Sequence, residues 1–300
     1  MVAVDPRIDL LSGLGGLTRW GTTAYGEFRH SVKAAGGAAL RGCAATAPAV
    51  ALLEGAARFR FDAPYRWALH HGPVPDLVPP GPPPASRLRA WDHRHGPSPH
   101  WRRPSARSRA PGRSAPSAMQ AGTALRVAGW IRAADPTGWL DRALGPSTTR
   151  PAVLLAGIID WHGHGATVRR ADGAIAHAIL GGKGVDGTDL PVYGSPSDVP
   201  AVVLHDLAHD RLNPAAEAAW TTLPERARAA WGSPGDFAES AVQGLTFVYG
   251  RELWGRAGEE RSKRPPHVEA LGARRTDLRR QRPRPVPEAA MAALADAVPE

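Results

Sequence analysis

Residues 202–214 read VVLHDLAHDRLNP, and the spacing of the two histidines in this stretch governs how the rest of the chain is read. Positions four apart on an α-helix lie on one face. A helix here therefore points the imidazoles of His205 and His209 at one spot. Zinc takes about four ligands, and a catalytic zinc takes about three from the protein and leaves a place for water. The ion brings the pKa of that water to about 7. A carboxylate beside the first histidine then accepts the water's proton, which is the logic of H-E-x-x-H. This chain has H-D-L-A-H, with Asp206 in the acid position. With 12 histidines in 300 residues, about half of one i,i+4 pair arises by chance, and an acid after the first histidine lowers that to about 0.05. No other such pair occurs in the sequence. The apolar run AVVL ahead of His205 would bury the start of the helix.

Working outward, SPGDFAESAVQGLTFVYGRELWG (233–255) predicts a second long helix. Ser233 fits its N-cap, Pro234 its first turn, and Asp236 sits three residues after the cap, close to a capping box. Upstream, PAVLLAGIIDW (151–161) is an aliphatic run that predicts a buried strand. HGHGATVRRADGAIAHAILGG then predicts a hairpin: ATVRR, a turn at Ala171-Asp172-Gly173, and AIAHAIL. Residues 181–200 form a Gly/Pro/Ser loop. ALRVAGWIRAADPTGWLDRALG, from residue 124, predicts helical segments. Residues 5–72 read as helical throughout, with Leu10, Leu11, Leu14 and Leu17 at helical spacing. Within them, 25–36, 45–58 and FDAPYRWALHH (61–71) predict separate helices, the last with Pro64 in its first turn. The fold class is α+β: mostly helical, with a small β-sheet or hairpin packed on a metallopeptidase-like active-site helix.

Composition shifts sharply between 73 and 120. Residues 79–116 carry ten prolines and almost no aliphatic side chains. Such a stretch cannot bury enough apolar area to offset its ordering entropy, so it is expected to be disordered. Its Arg/Pro/Ser/Ala/His/Gly mix is also what a GC-rich gene yields when read out of frame, and an insert or a frame-shift product both remain open. The organisation expected is a helical N-terminal part (1–72), a Pro/Arg-rich insert (73–120), a metal-site region (121–256) and a largely disordered basic tail (257–300), with a short helix at 287–298.

Charge follows the same division. The chain carries +9 overall. Residues 79–116 hold eight arginines against one acid, and 251–284 hold eleven Lys or Arg against five acids. The remainder is mildly acidic, so no specific nucleic-acid partner is expected, because a folded nucleic-acid-binding domain more often carries the charge on its own surface. The single cysteine, Cys43, excludes an internal disulfide and a cysteine zinc cluster. No stretch approaches the length of a membrane span. The N-terminus as written has no signal peptide, which gives a cytoplasmic expectation, with secretion open if the true start lies upstream. Oligomeric state is not indicated.

A third ligand is needed. Glu239 lies thirty residues beyond His209 on the second helix, flanked by Phe237, Ala241 and Val242. A carboxylate near an apolar interface needs a partner, which a metal supplies, and gluzincin-type peptidases take their third ligand from a Glu at comparable distance. His162 and His164, in WHGHG, either line a cleft or sit in a turn. Asn213 would shape the helix end. Tyr249 and Tyr193 could donate to a developing oxyanion or pack structurally. His177 is expected in the core, and His70 and His71 at a helix end, where positive charge suits the dipole.

Several phrases together resemble a bacterial family, the domain of unknown function 4932. They are VDPRIDLLS near the start, FDAPYRWALHH, the strand-turn-strand around HGHG, HDLAHDRLNP and ESAVQGL. The family reads DPRIELLS, a DAP phrase, HEFSHSFVNP and then a helix with E-x-x-V-R-A. The resemblance is collinear over about 2–72 and 122–255. It implies a gluzincin-like zinc hydrolase in which His205, Asp206, His209, Asn213, Pro214 and Glu239 fall on the family pattern. This chain departs from the pattern at Asp206, where the family has Glu, at Gln243, where it has Arg, and over 79–116. Asp is one methylene shorter than Glu, which sets its carboxylate about 1.5 Å back, and a misplacement of about 1 Å can cost on the order of 100-fold in rate.

The function expected is a Zn2+-dependent, peptidase-like hydrolase, with metal-activated water attacking a peptide or amide carbonyl of a peptide or protein substrate. The alternatives are a zinc-binding pseudoenzyme with a degenerate HDxxH motif, and a binder of nucleic acid or an acidic partner acting through the Arg-rich segments by counterion release.

Overall fold

The computed structural model describes residues 2–15, 17–18, 38, 40–43, 46–57, 63–70, 115–160, 163–182, 184–185 and 191–255. The architecture is α+β, mostly helical, around a small mixed sheet of four strands. Strand β1 (Val2–Val4) leads into α1 (Pro6–Gly15), followed by α2 (Thr46–Ala57) and α3 (Ala63–His70). Helices α4 (Ala115–Ala134) and α5 (Pro136–Leu144) precede β2 (Arg150–Asp160), β3 (His164–Arg170) and β4 (Gly173–Gly182). Two short strands, β5 (Gly184–Val185) and β6 (Pro191–Val192), pair with each other. Three helices close the described chain: α6 (Asp198–Thr222), α7 (Glu225–Trp231) and α8 (Pro234–Trp254).

The sheet order is β1-β2-β4-β3. β1, β2 and β4 run parallel, and β3 lies antiparallel at the edge, with His164 opposite Ile179 and Arg170 opposite Gly173. The expected strand and hairpin are therefore both present, with the turn at Ala171 and Asp172. β2 and β4 read as continuous apolar runs because both faces of the sheet are covered. Alternate residues of these strands belong to different cores. Val153, Leu155, Ala178 and Leu180 join the core built with α4, α5, α6 and α8. Leu154, Ala156, Ala166, Val168 and Ile179 join Ile8, Tyr65 and Leu69 on the opposite face.

Helix α6 is the element that positions the site. It buries Val199, Val203, Leu204, Leu207, Ala208, Leu212 and Ala216, which point to more than one side. A helix apolar nearly all round is one packed on several sides, and α6 packs on β3, β4, α4, α5 and α8. It runs past the expected boundary and carries Pro214 in its interior. A proline there removes one helical N–H, yet the helix continues two turns beyond, held by the buried Ala216. Asn213 is accordingly mid-helix and does not shape a helix end. Helix α8 starts as its sequence indicates, with the Ser233 hydroxyl accepting from the Asp236 N–H at 3.1 Å. Its far end is tied down by two polar contacts: the Tyr249 hydroxyl donates to the Ala134 carbonyl at 2.9 Å, and Trp139 Nε1 donates to Glu252 at 2.7 Å. Arg211 donates to Asp141 at 2.9 Å and joins α6 to α5.

Three features differ from the sequence reading. Residues 2–4 form a strand, paired with Val153–Leu155 of β2; three residues are too few to show an alternation. The loop 181–200 contains β5 and β6. Helix α4 begins at Ala115, six residues before the expected domain boundary. The expected helices at 25–36 and 287–298, the basic tail beyond 255, and residues 73–114 of the Pro/Arg-rich insert lie outside the described residues.

Candidate metal centre

His205 and His209 project from one face of α6, as their spacing requires, and Glu239 meets them from the second turn of α8. The His205 and His209 Nε2 atoms are 3.3 Å apart. Glu239 places Oε1 3.4 Å from His205 Nε2 and Oε2 3.3 Å from His209 Nε2. Both imidazoles and the carboxylate keep part of their surface in solvent, so the cluster is accessible from one side. These three residues form a group that could hold a metal ion, and they are the only such group of His, Cys, Asp and Glu among the described residues.

The local electrostatics follow from crowding these groups in a half-buried place. Burial pushes His205 down to about 4, aided by the charge on His209 and opposed by Glu239. Burial would also lower His209, but hydrogen bonds to Glu239 and Asn213 and the charges of Glu239 and Asp206 outweigh it and hold His209 above the usual histidine range. For Glu239, burial acts upward, while His209, His205 and the Gln243 amide together hold the carboxyl down at about 2. Burial and the neighbouring charges thus favour a neutral His205, while Glu239 and Asn213 favour the charged form of His209.

Asp206 sits differently. It is 4% exposed, and its side chain turns toward β3. A Cβ built on Gly163 would lie 2.6 Å from Asp206 Oδ2, and one on Gly165 would lie 2.6 Å from the Asp206 carbonyl oxygen. The two glycines of HGHG therefore let the edge strand approach α6 where any side chain would collide. Asp206 Oδ2 is buried with no hydrogen-bond partner among the described residues. Burial raises its pKa well above the usual carboxyl value, with Glu239 adding to the rise and His209 opposing it. A buried carboxyl thus lies next to His205 in the sequence, with one oxygen unengaged.

The remaining sequence candidates divide. Asn213 belongs to the cluster, with Oδ1 3.1 Å from His209 Nδ1. His164 lies in β3 on the face opposite α6, stacked on Tyr65 with ring centroids 5.5 Å apart; strand alternation turns it away while Gly163 and Gly165 face the helix. It packs and does not line the cluster. Tyr249 is fully buried against Trp139 and Trp254, with its hydroxyl committed to Ala134, so it is not placed as an oxyanion donor. Tyr193 is likewise buried in the core. His177 is in the core as expected, its Nδ1 3.2 Å from the Ala166 carbonyl, and His70 ends α3. His162 and His71 lie outside the described residues.

Two cluster residues escaped the sequence reading. Gln243 Nε2 donates to Glu239 Oε1 at 2.8 Å, and Thr246 Oγ1 lies 3.5 Å from His205 Nδ1. Gln243 was findable as the position four beyond Glu239 on one helix face, and it registers in the sequence only as a departure from the arginine of the family resembled. No protein-family model matches this chain, and neither the curated proteins nor the solved structures give a match.

Proposed function

We propose that this chain is a zinc-dependent, peptidase-like hydrolase, with zinc held by His205, His209 and Glu239 and with Asp206 as general base. The observation that carries the reading is the convergence of three ligand groups: the two Nε2 atoms lie 3.3 Å apart, and the Glu239 carboxylate straddles them, Oε1 3.4 Å from His205 and Oε2 3.3 Å from His209. A tetrahedral ion with bonds of about 2.0–2.1 Å spaces two ligand atoms about 3.3–3.4 Å apart, which the two Nε2 atoms meet. Two imidazoles and a carboxylate suit zinc or another late transition metal and do not suit magnesium or calcium, which favour oxygen. When bound, zinc supplies a Lewis acid able to bring the pKa of a water to about 7.

The chain's own part in such a reaction is assigned to few groups. Asp206, next to the ligands and with Oδ2 unengaged, would accept a proton and later return it to the leaving amine. The edge strand above it excludes water from one side of that carboxylate. The resemblance noted in HDLAHDRLNP and ESAVQGL points to the same class of chemistry. Among the described residues no helix is long and apolar enough to cross a membrane.

A second reading, a metal-binding protein without useful turnover, is favoured by the burial of Asp206 beneath Gly163 and Gly165. Metal analysis of the purified protein, followed by cleavage of a mixed peptide library, tests both. One equivalent of zinc with cleavage that Asp206→Asn abolishes supports the hydrolase. One equivalent of zinc, with no cleavage by the native protein or by Asp206→Glu, leaves the non-catalytic reading. No zinc at one equivalent sinks both.

A further inference from the structure

We infer that Asn213, Thr246 and Gln243 are positioning residues for the metal, each fixing one of the three ligand side chains in the orientation that the ion needs. The inference rests on the metal reading above and goes beyond it by assigning the groups behind the ligands.

The three contacts are complementary in their donors and acceptors. An amide oxygen can only accept a hydrogen bond. Asn213 Oδ1, 3.1 Å from His209 Nδ1, therefore calls for a proton on Nδ1 and frees Nε2, the atom that meets Glu239. A threonine hydroxyl has a single proton, and Thr246 gives it to the Val242 carbonyl at 2.9 Å. Its lone pairs face His205 Nδ1 at 3.5 Å, so here too the proton belongs on Nδ1 and Nε2 is left for the ion. Gln243 donates to Glu239 Oε1 at 2.8 Å, which fixes the plane of the carboxylate between the two imidazoles. The helical spacing makes the arrangement regular. His205, His209 and Asn213 are a row at i, i+4 and i+8 on α6, and Glu239, Gln243 and Thr246 are a row at i, i+4 and i+7 on α8. Each row supplies both ligands and their supports, and Thr246 crosses from one row to the other. Partners of this kind set the ring tautomer and the orientation of a ligand, and their loss typically weakens metal binding about 10- to 100-fold.

The test uses the full chain, stripped with chelator and titrated with zinc alone. Asn213→Leu and Gln243→Met, close in size but without the polar group, are expected to bind zinc about 10- to 100-fold more weakly. Thr246→Val, across the longest of the three contacts, is expected to lose less. Asn213→Asp keeps an acceptor at the same place and is expected to restore the affinity that Asn213→Leu loses. Long-range 15N–1H spectra of the zinc-loaded native protein should show both ligand histidines carrying their proton on Nδ1. Thermal melts with chelator separate a folding defect from a binding defect, and if Asn213→Leu does not fold, Gln243→Met and Thr246→Val decide the matter. A native protein that binds no zinc overturns the metal reading and this inference with it. A native protein that binds zinc, with Asn213→Leu and Gln243→Met binding equally well or the ligand histidines protonated on Nε2, overturns this inference alone.

Discussion

The two faces of the sheet use histidine in opposite ways. On the α6 side, His205 and His209 converge on a carboxylate and keep part of their surface in solvent. On the α1 and α3 side, His164 stacks on Tyr65 and His177 is buried with its Nδ1 near a backbone carbonyl. The residue type is the same, and the contacts made by the two pairs differ. The front histidines meet an opposite charge supplied from another element, the capped helix α8. A strand places successive side chains on opposite faces, so His164 was bound to part company with the glycines on either side of it.

The sharpest way to break this comparison is to delete histidines one at a time and count metal. His209→Ala and Glu239→Ala are expected to lose the single equivalent of zinc altogether, whereas His177→Ala is expected to keep it. Metal analysis after gel filtration reads the result. Loss of zinc from the His177 variant, or its retention in both front-face variants, would erase the distinction. Acidity gives the same comparison a direction. His209 is held above the usual histidine range and must release its proton to bind an ion. Zinc affinity is therefore expected to fall about tenfold per pH unit below the pKa of His209 and to level off above it. A flat profile between pH 5 and 8 would contradict a His209 held above the usual histidine range.

The other face responds to base. Tyr65 is buried beneath the sheet, and burial pushes its hydroxyl up to about 12, with a bond to Ser12 opposing the rise. An unfolded tyrosine ionises near 10. Between these values the folded protein holds a proton that the unfolded chain has lost, so stability falls as pH rises from 10 and the loss is complete beyond 12. Two units correspond to about 3 kcal/mol. Urea melts of the native protein and Tyr65→Phe at pH 9 and 11.5 check this: the native protein should lose more stability over that interval than the variant. Equal losses would mean that Tyr65 is not shielded.

How much of this could be read in advance depended on whether the signal was local. The histidine pair, the Ser233 cap, β2 and the β3–β4 hairpin are spacing patterns within one element, and the sequence displays them directly. Glu239 was reachable because a capped helix places it beside Phe237 and Val242 at an apolar interface. Thr246 carries no such mark, since its place beside His205 depends on how α8 packs across α6. The pairing of β1 with β2 joins residues about 150 apart in the sequence, and nothing in VAV marks its partner. The role of Gly163 and Gly165 is also non-local. HGHG reads as a turn, but its glycines exist for a helix more than thirty residues away.

That close approach yields the next test in size. Gly165→Ala would set a methyl 2.6 Å from the Asp206 carbonyl, and overpacking of this kind costs about 1–3 kcal/mol. The edge strand would be pushed off α6, so the variant should melt lower in chelator. Gly129→Ala on α4 is the control, because nothing lies within 4 Å of its added carbon. A helix-interior glycine replaced by alanine gains about 0.5–1 kcal/mol, and the two substitutions should move the melting temperature in opposite directions. A neutral Gly165→Ala would mean that β3 is not pressed against Asp206.

The smallest effect concerns how Glu239 reaches the histidines. Ser233 caps α8 through the Asp236 N–H at 3.1 Å, and its hydroxyl also donates to the Asp236 carboxylate at 2.6 Å. Removing a serine cap costs about 1 kcal/mol, so Ser233→Ala should lower stability by that amount. The carboxylate of Glu239 lies beyond the first turn, past Phe237 and Ala238, both buried. Packing at those two positions holds the helix in register whether or not the cap is made. Zinc affinity is therefore expected to stay within about twofold of native while the melt shifts, since an effect confined to the first turn does not reach the ligand. If affinity falls in step with stability, the placing of Glu239 depends on the helix end, and the carboxylate that meets the front histidines is held by its cap and not by its core.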